Sequence, residues 1–190
     1  AERLTHHRPA IVRGSLEWGV MAGRRVRDID WTSWRAGDPA TLVFVIKGEQ
    51  ILLIRKKRGL GAGKVNGPGG RLEAGETFGQ CAVREVQEEL GVTPLNLTKL
   101  GQHAFQFVDG YSTYVHVFRA TDFVGTPVET DEAVPLWFTL SDVPYHEMWE
   151  DDRYWLPLVI QHRKFAGRWV FEGDQMLDYE LDVCPLVGLG

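Results

Sequence analysis

The sequence predicts an α+β fold in which a mixed sheet is covered by helices on both faces. Three observations point there. Short β-rich runs recur between turn signals from Thr41 to Leu181. Two helical patterns interrupt them, one near the middle and one towards the C-terminal end. The chain has 190 residues, 44% hydrophobic and 25% charged, which is ordinary for a globular domain with a real core.

The elements follow in order. Residues 1–38 stand apart as an N-terminal extension, with Arg3, Arg8, Arg13, Arg24, Arg25, Arg27 and Arg35 interleaved with Trp18, Trp31 and Trp34. The extension is expected to pack its tryptophans on the domain; an arm touching substrate or a partner is the alternative. Gly37, Asp38 and Pro39 read as a loop that ends it. The domain then covers residues 39–185, and residues 186–190 form a C-terminal tail. Thr41–Ile46 and Gln50–Arg55 are β-rich and joined by Lys47, Gly48 and Glu49, a hairpin pattern. From Gly59 to Gly70 six glycines fall within twelve residues, which predicts a loop. A helix is expected from about Thr77 to Leu90, with Gly91 as its stop. His103–Val108 and Thr113–Ala120 form a second hairpin around Asp109 and Gly110. Ala133–Phe138 reads as a strand, Arg153–Phe165 as a helix, and Trp169–Phe171 with Leu177–Leu181 as a last hairpin.

Bulk properties narrow the function. A net charge of -5 disfavours a general nucleic-acid-binding surface, which is usually basic. Cys81 and Cys184 have no metal-ligand spacing and make no disulfide framework, so a reducing cytoplasm is expected. No apolar run reaches membrane-spanning length, and no secretory signal is evident at the N-terminus.

The chemistry is concentrated in GRLEAGETFGQCAVREVQEELGV, Gly70 to Val92. On a helix at about 100° per residue with Glu85 at zero, Glu88 falls near 300° and Glu89 near 40°. The three carboxylates share one face. Ala82, Val83, Val86 and Leu90 fall between about 60° and 160° and form a separate apolar stripe. Like charges at i and i+4 destabilise a helix, and a bound hard cation such as Mg²⁺ offsets that repulsion directly. A solvated acidic face is the plainer alternative. Against it stand the glycine-rich approach, the additional acid Glu76, and Arg84, which can pair with Glu76 or Glu85.

The preceding loop, GLGAGKVNGPGG, is not a P-loop. Val65 stands where Ser or Thr is needed after Gly63-Lys64, and the glycine spacing differs. Its glycines are better read as permitting close backbone approach to a ligand. Asn66 can read a base or sugar edge, or simply be a turn residue; Lys56 can offset phosphate charge.

The segment resembles the Nudix box at each defining position: Gly70, Glu76 after five residues, then Arg84-Glu85-Val86, Glu88-Glu89 and Gly91-Val92. The resemblance implies an α/β/α sandwich with a loop–helix–loop motif. It implies Mg²⁺, or Mn²⁺ in its place, held by Glu85, Glu88, Glu89 and a backbone carbonyl of Gly69 or Gly70. Glu88 or Glu89 is then the candidate general base, and Arg84 and Glu76 are structural partners. Glu132 resembles a late metal ligand, with a solvated loop acid as the equal alternative.

From about Thr41 to Leu181 the chain also resembles the MutT-homologue enzymes that sanitise oxidised purine nucleotides, the 8-oxo-dGTP diphosphatases of animal type. KKRGLGAGKVNGPGG, VHVF, GTPVETDE and MWEDDRYWLPL carry the likeness. It implies a nucleoside triphosphate such as 8-oxo-dGTP or 2-hydroxy-dATP as substrate. Thr41, Lys56, Asn66, Pro68, Gly69, Gly70 and Arg71 would contact it. Trp149 would stack on the purine, and Asp151 and Asp152 would hydrogen-bond its edge. A Trp face suits a base. Adjacent carboxylates repel, so one can stay protonated and donate while the other accepts. The alternatives are a helix-capping aspartate and a core tryptophan. Leu60, Val65 and Pro68 stand where the best-known animal enzyme has aromatic rings, which predicts a differently shaped pocket. Two competing readings stay open: a Nudix pyrophosphatase of other specificity, acting on NTPs broadly or on RNA 5′ ends, and a non-catalytic nucleotide-binding module. Mg²⁺-dependent turnover separates the last from the rest.

Overall fold

The computed structural model describes residues 24–184. Arg3, Arg8, Arg13, Trp18 and the tail 186–190 lie outside them. The first hairpin forms where expected, as β1 (Asp38–Lys47) and β2 (Gln50–Lys56), antiparallel with Val45 opposite Leu52. β1 starts inside the segment expected as a loop, Gly37–Pro39. Asp38 and Pro39 already pair with Thr113 and Tyr114 of β6 (Ser112–Ala120). That pairing is parallel, and Pro39, which has no N–H to give to the ladder, sits near the strand start where its lack is tolerated.

The period of two along β1 decides the layers. Val43 and Val45 point to one face, Phe44 and Ile46 to the other, and all four are buried. β2 alternates in the same way, with Leu52 and Ile54 on one face and Ile51 and Leu53 on the other. Helix α1 (Phe78–Leu90) covers the first face through Ala82, Val86 and Leu90. Helix α2 (Asp152–Ile160) covers the second through Trp155, Leu156 and Val159. Each such fully buried large apolar side chain is worth about 1.5–3 kcal/mol over exposure. The expected mixed sheet with a helix on each face is therefore present.

The remaining strands are β3 (Val65–Asn66), β4 (Thr93–Leu95), β5 (Thr98–Phe107), β7 (Asp122–Val124), β8 (Ala133–Thr139), β9 (Phe165–Glu172) and β10 (Gln175–Val183). The main sheet runs β10-β9-β5-β6-β1-β2-β3, and β8 pairs with β2 along its whole length. β5 and β6 are antiparallel, whereas β5 and β9 are parallel, so both orientations occur. β4 and β7 form a separate two-stranded ribbon.

Three expectations need correction. The glycine-rich loop contains β3, which pairs Val65 with Arg55 and Asn66 with Ile54. The second helix ends at Ile160, and Phe165 belongs to β9. His162 takes φ 56 just past the end, and the amides of His162 and Arg163 return to Val159 and Leu158. That is a Schellman closure with histidine in the position usually held by glycine. The third correction is that β5 begins at Thr98, ahead of the expected His103. A bulge between Lys99 and Gly101 breaks its alternation.

The described part of the extension, 24–37, crosses the sheet. Arg24 pairs with Glu172 at 2.7 Å, and the Val26 amide donates to Asp178 at 2.9 Å. The Trp34 indole donates to Gln106 at 2.8 Å, and the Arg168 guanidinium lies 5.5 Å from the Trp31 ring.

Candidate active site

Helix α1 starts and stops on strong local signals. Thr77 and Gln80 form a capping box, with the Gln80 amide donating to Thr77 Oγ1 and the Thr77 amide to Gln80 Oε1. Gly91 closes it in the left-handed conformation at φ 72. With its apolar stripe on the sheet, the helix turns Glu85 and Glu89 into the interior and leaves Glu88 exposed.

Arg84 holds this acidic face together. Its guanidinium bonds Glu76 through Nε and Nη2, both at 2.9 Å, and reaches Glu85 at 2.8 Å and Glu88 at 2.9 Å. Hydrogen bonds from Arg84 hold Glu76 down at about 2. Glu89, only 1% exposed, accepts from Lys56 Nζ at 3.3 Å and from the Gly69 amide at 2.7 Å. Burial nevertheless pushes Glu89 up to about 7, and burial also raises Glu85. These acids are thus desolvated beyond what their cationic neighbours offset.

The backbone of Gly69 and Gly70 is pressed against the same acids. A Cβ on Gly70 would lie 2.4 Å from Glu85 Oε1, and one on Gly69 would lie 2.0 Å from the Thr41 carbonyl oxygen. Only glycine permits this approach. Gly70 O accepts from the Thr41 amide at 2.8 Å, so β1 and the loop are locked together. Among the described residues no three His, Cys, Asp or Glu side chains stand ready-made around one point; oxygens of the three helix glutamates are instead paired with Arg84 and Lys56.

On the α2 side of the sheet lies a cavity of about 380 Å³. That suits a nucleoside-sized ligand, the usual range being about 300–1,000 Å³. Thr41, Lys56, Asn66, Gly69, Gly70 and Arg71 line it, as do Trp149, Asp151 and Asp152. Lys56 both faces the cavity and pairs with Glu89, so the acidic helix and the cavity are one continuous site. The Asn66 carbonyl accepts from the Gly67 amide at 2.8 Å, which leaves its amide nitrogen as a donor for the cavity.

Asp151 and Asp152 are each 2% exposed. Trp155 Nε1 donates to Asp151 at 2.7 Å, and the Trp149 amide donates to Asp152 at 2.9 Å. Neither aspartate makes a side-chain cap on α2. Burial raises both carboxyls, and Asp152 is lifted further by Asp151 beside it. Together they resist losing both protons near neutral pH.

Not every expected residue reaches the cavity. Pro68 is buried elsewhere and gives its carbonyl to the Val43 amide at 2.8 Å, so it forms no part of the wall. Glu132 is ion-paired with Arg58, and no hydrogen bond joins it to the helix carboxylates among the described residues. Conversely, Phe105, Phe107, Thr113 and Phe171 line the cavity and were missed. Their signal was the alternation of β5, β6 and β9, but nothing in a strand pattern says which of its faces borders a ligand.

Comparison with known proteins agrees with this geometry. The NUDIX domain family model matches residues 37–159. The oxidized purine nucleoside triphosphate hydrolase of Danio rerio is 44% identical over 144 residues, covering 75% of this chain and 92% of that protein. Its Mus musculus counterpart is 43% identical, covering 74% and 92%. Among solved structures, the MutT protein from Bacillus halodurans superposes with a TM-score of 0.70 at 27% identity, covering 76% of this chain and 97% of that one.

Proposed function

Since this chain belongs to the NUDIX family, we propose that it hydrolyses oxidised purine nucleoside triphosphates to the monophosphate and pyrophosphate. The observation that carries the reading is the joining of two unlike halves through Lys56: a buried glutamate cluster for phosphate chemistry and an aromatic, aspartate-bearing cavity of base size. A hydroxyl from water adds to the α- or the β-phosphorus, the phosphoanhydride bond between the two breaks, and the products are the nucleoside monophosphate and pyrophosphate.

The residues fit a divalent cation. Glu85 and Glu89 are buried hard oxygen donors whose acidity is suppressed by desolvation, which a cation would relieve. Glu85, Glu88 and Glu89, with a carbonyl of Gly69 or Gly70, would hold Mg²⁺ or Mn²⁺. When bound, the cation supplies phosphate charge neutralisation and a more acidic water. Glu88 or Glu89 accepts the proton of the attacking water. Lys56 counters triphosphate charge. Arg84 and Glu76 keep the loop and helix in register through their paired hydrogen bonds. For Glu132, a late metal ligand or a solvated loop acid, the ion pair with Arg58 supports the second reading.

At the other end, Trp149 stacks on the purine, and Asp151 with Asp152 reads its edge. With one carboxyl protonated, the pair offers a donor and an acceptor together. Oxidation at the purine changes that same donor–acceptor pattern. Thr41, Asn66 and Arg71 complete the contacts to nucleoside and phosphate.

The test is pyrophosphate release with Mg²⁺ from 8-oxo-dGTP, 2-hydroxy-dATP, dGTP and dATP. A kcat/KM preference for an oxidised purine of about tenfold or more supports the reading. Equal rates across the panel would reject oxidised-purine selectivity. No turnover with any of them would reject the substrate class.

A further inference from the structure

A cation sits over the Trp149 ring. The Lys64 ammonium lies 4.9 Å from its ring centroid, within cation–π range. Trp149 lines the cavity whereas Lys64 does not, so the cation lies off the wall that meets the ligand. The turn leading to Lys64 lies against the same indole. A Cβ on Gly61 would come within 2.9 Å of Trp149 Nε1. This turn is itself closed by backbone bonds from Lys64 to Gly61 at 2.9 Å and from Gly63 to Lys56 at 2.8 Å.

The ring is fixed from its other sides as well. Phe107 and Phe171 meet it edge-on, with interplanar angles of 78° and 88°. Lys64 Nζ also pairs at 3.0 Å with Asp174, in the turn between β9 and β10. One side chain thus ties the glycine-rich turn, the indole and the β9–β10 turn to one another.

We propose that Lys64 is a positioning residue for base recognition, holding the plane of the Trp149 ring from the side opposite the bound purine. The inference rests on the stacking role of Trp149 given above. Physically, an indole has two faces. A cation on one draws on its electron density and removes the rotamer freedom that stacking would otherwise have to freeze. The cost of ordering the ring is then met before the base arrives. The positive charge of Lys64 also acts on Asp152, where it favours the ionised form against burial. Neither effect reaches the phosphate chemistry, so Lys64 acts on binding and not on the chemical step.

The experiment is steady-state hydrolysis of 8-oxo-dGTP and dGTP with Mg²⁺ by the full chain carrying Lys64→Met, Lys64→Arg, Trp149→Ala or the double change Lys64→Met with Trp149→Ala. Methionine keeps much of the apolar stem and removes the charge. Lys64→Met is expected to raise KM about three- to thirtyfold with kcat within about twofold, the span expected for a partly to fully desolvated cation–π contact. Lys64→Arg restores KM. In the Trp149→Ala background Lys64→Met adds little, because its effect runs through the ring. If Trp149→Ala raises KM while Lys64→Met leaves it unchanged, the Lys64 role is overturned and stacking survives. If Trp149→Ala leaves KM unchanged, stacking fails and the Lys64 inference fails with it. A parallel fall of kcat and Tm in Lys64→Met, or additive effects in the double variant, would make Lys64 structural only and overturn the proposal.

Discussion

His103 makes a stability prediction that can be worked from the structure. The imidazole is wholly buried among Phe105, Trp155, Phe165 and Trp169. Trp169 Nε1 donates to His103 Nδ1 at 2.9 Å, so the ring is neutral with its proton on Nε2. Among the described residues that Nε2 has no hydrogen-bond partner. Burial pushes the imidazole down from 6.5 to about 3. Below 6.5 the unfolded chain binds a proton that the folded chain refuses. Stability is therefore fully present above that value and declines as pH falls toward 3, where the folded ring at last protonates. Between about pH 7 and about pH 5 the loss from this one group is about 2 kcal/mol. His103→Gln keeps an acceptor for Trp169 and removes the titration. Urea unfolding of both proteins at the two pH values gives the comparison, in which all other groups cancel. The wild type should lose about 2 kcal/mol more than the variant on acidification. Equal losses would mean that His103 does not stay neutral in the folded chain, and the reasoning from its burial would be wrong.

Three further outcomes follow from the site. Glu89→Gln should lower kcat at least about a hundredfold, with Tm within a few degrees of wild type; near-normal turnover would remove Glu89 from the metal and base assignments. Asp152→Asn keeps an acceptor for the Trp149 amide, so the fold should hold while the 8-oxo-dGTP to dGTP ratio of kcat/KM shifts about tenfold or more; an unchanged ratio and rate would refute base reading by this carboxyl. Gly70→Ala drives a methyl into Glu85 and should cost about a hundredfold in kcat, whereas Gly79→Ala, with open space around it in the same helix, should leave kcat unchanged. Similar kcat values for the two glycine variants would show that the Gly70–Glu85 contact does not matter to the reaction.

What the sequence made legible was local. The span and face of α1 were readable because a capping threonine, a 3.6-residue stripe and a closing glycine all lie within one stretch of chain. The β1–β2 hairpin was readable for the same reason. Structure that depends on distant partners was not. β3 is two residues in a glycine-rich loop and exists only because β2 offers an edge to it. β4 and β7 pair with each other across a long separation. The end of α2 was overrun because His162 fills a position where the sequence signal is glycine. Gly101 disrupted the pattern of β5 for a tertiary reason: a Cβ there would sit 2.1 Å from the Phe165 ring.

The same division runs through the site and bears on selectivity. The glutamate cluster comes from one helix and the loop before it, so its chemistry is written in a contiguous segment. The cavity draws its walls from β1, β2, β5, β6, β9, α2 and the glycine-rich turn, and its shape follows from their topology. Of Leu60, Val65 and Pro68, where the resemblance predicts a differently shaped pocket, Val65 is fully buried in the core and Pro68 is buried against β1. Only Leu60 reaches the cavity wall, and it is 53% exposed. The expected change of pocket shape therefore enters at one residue at the mouth. On the proposed reading, an aliphatic side chain there would meet the base by apolar contact and add no stacking plane at the mouth, so orienting the purine would fall to Trp149. On that reading selectivity between purines would fall on Asp151 and Asp152, because apolar contact alone separates close analogues weakly, whereas an unmatched buried carboxyl penalises the wrong edge.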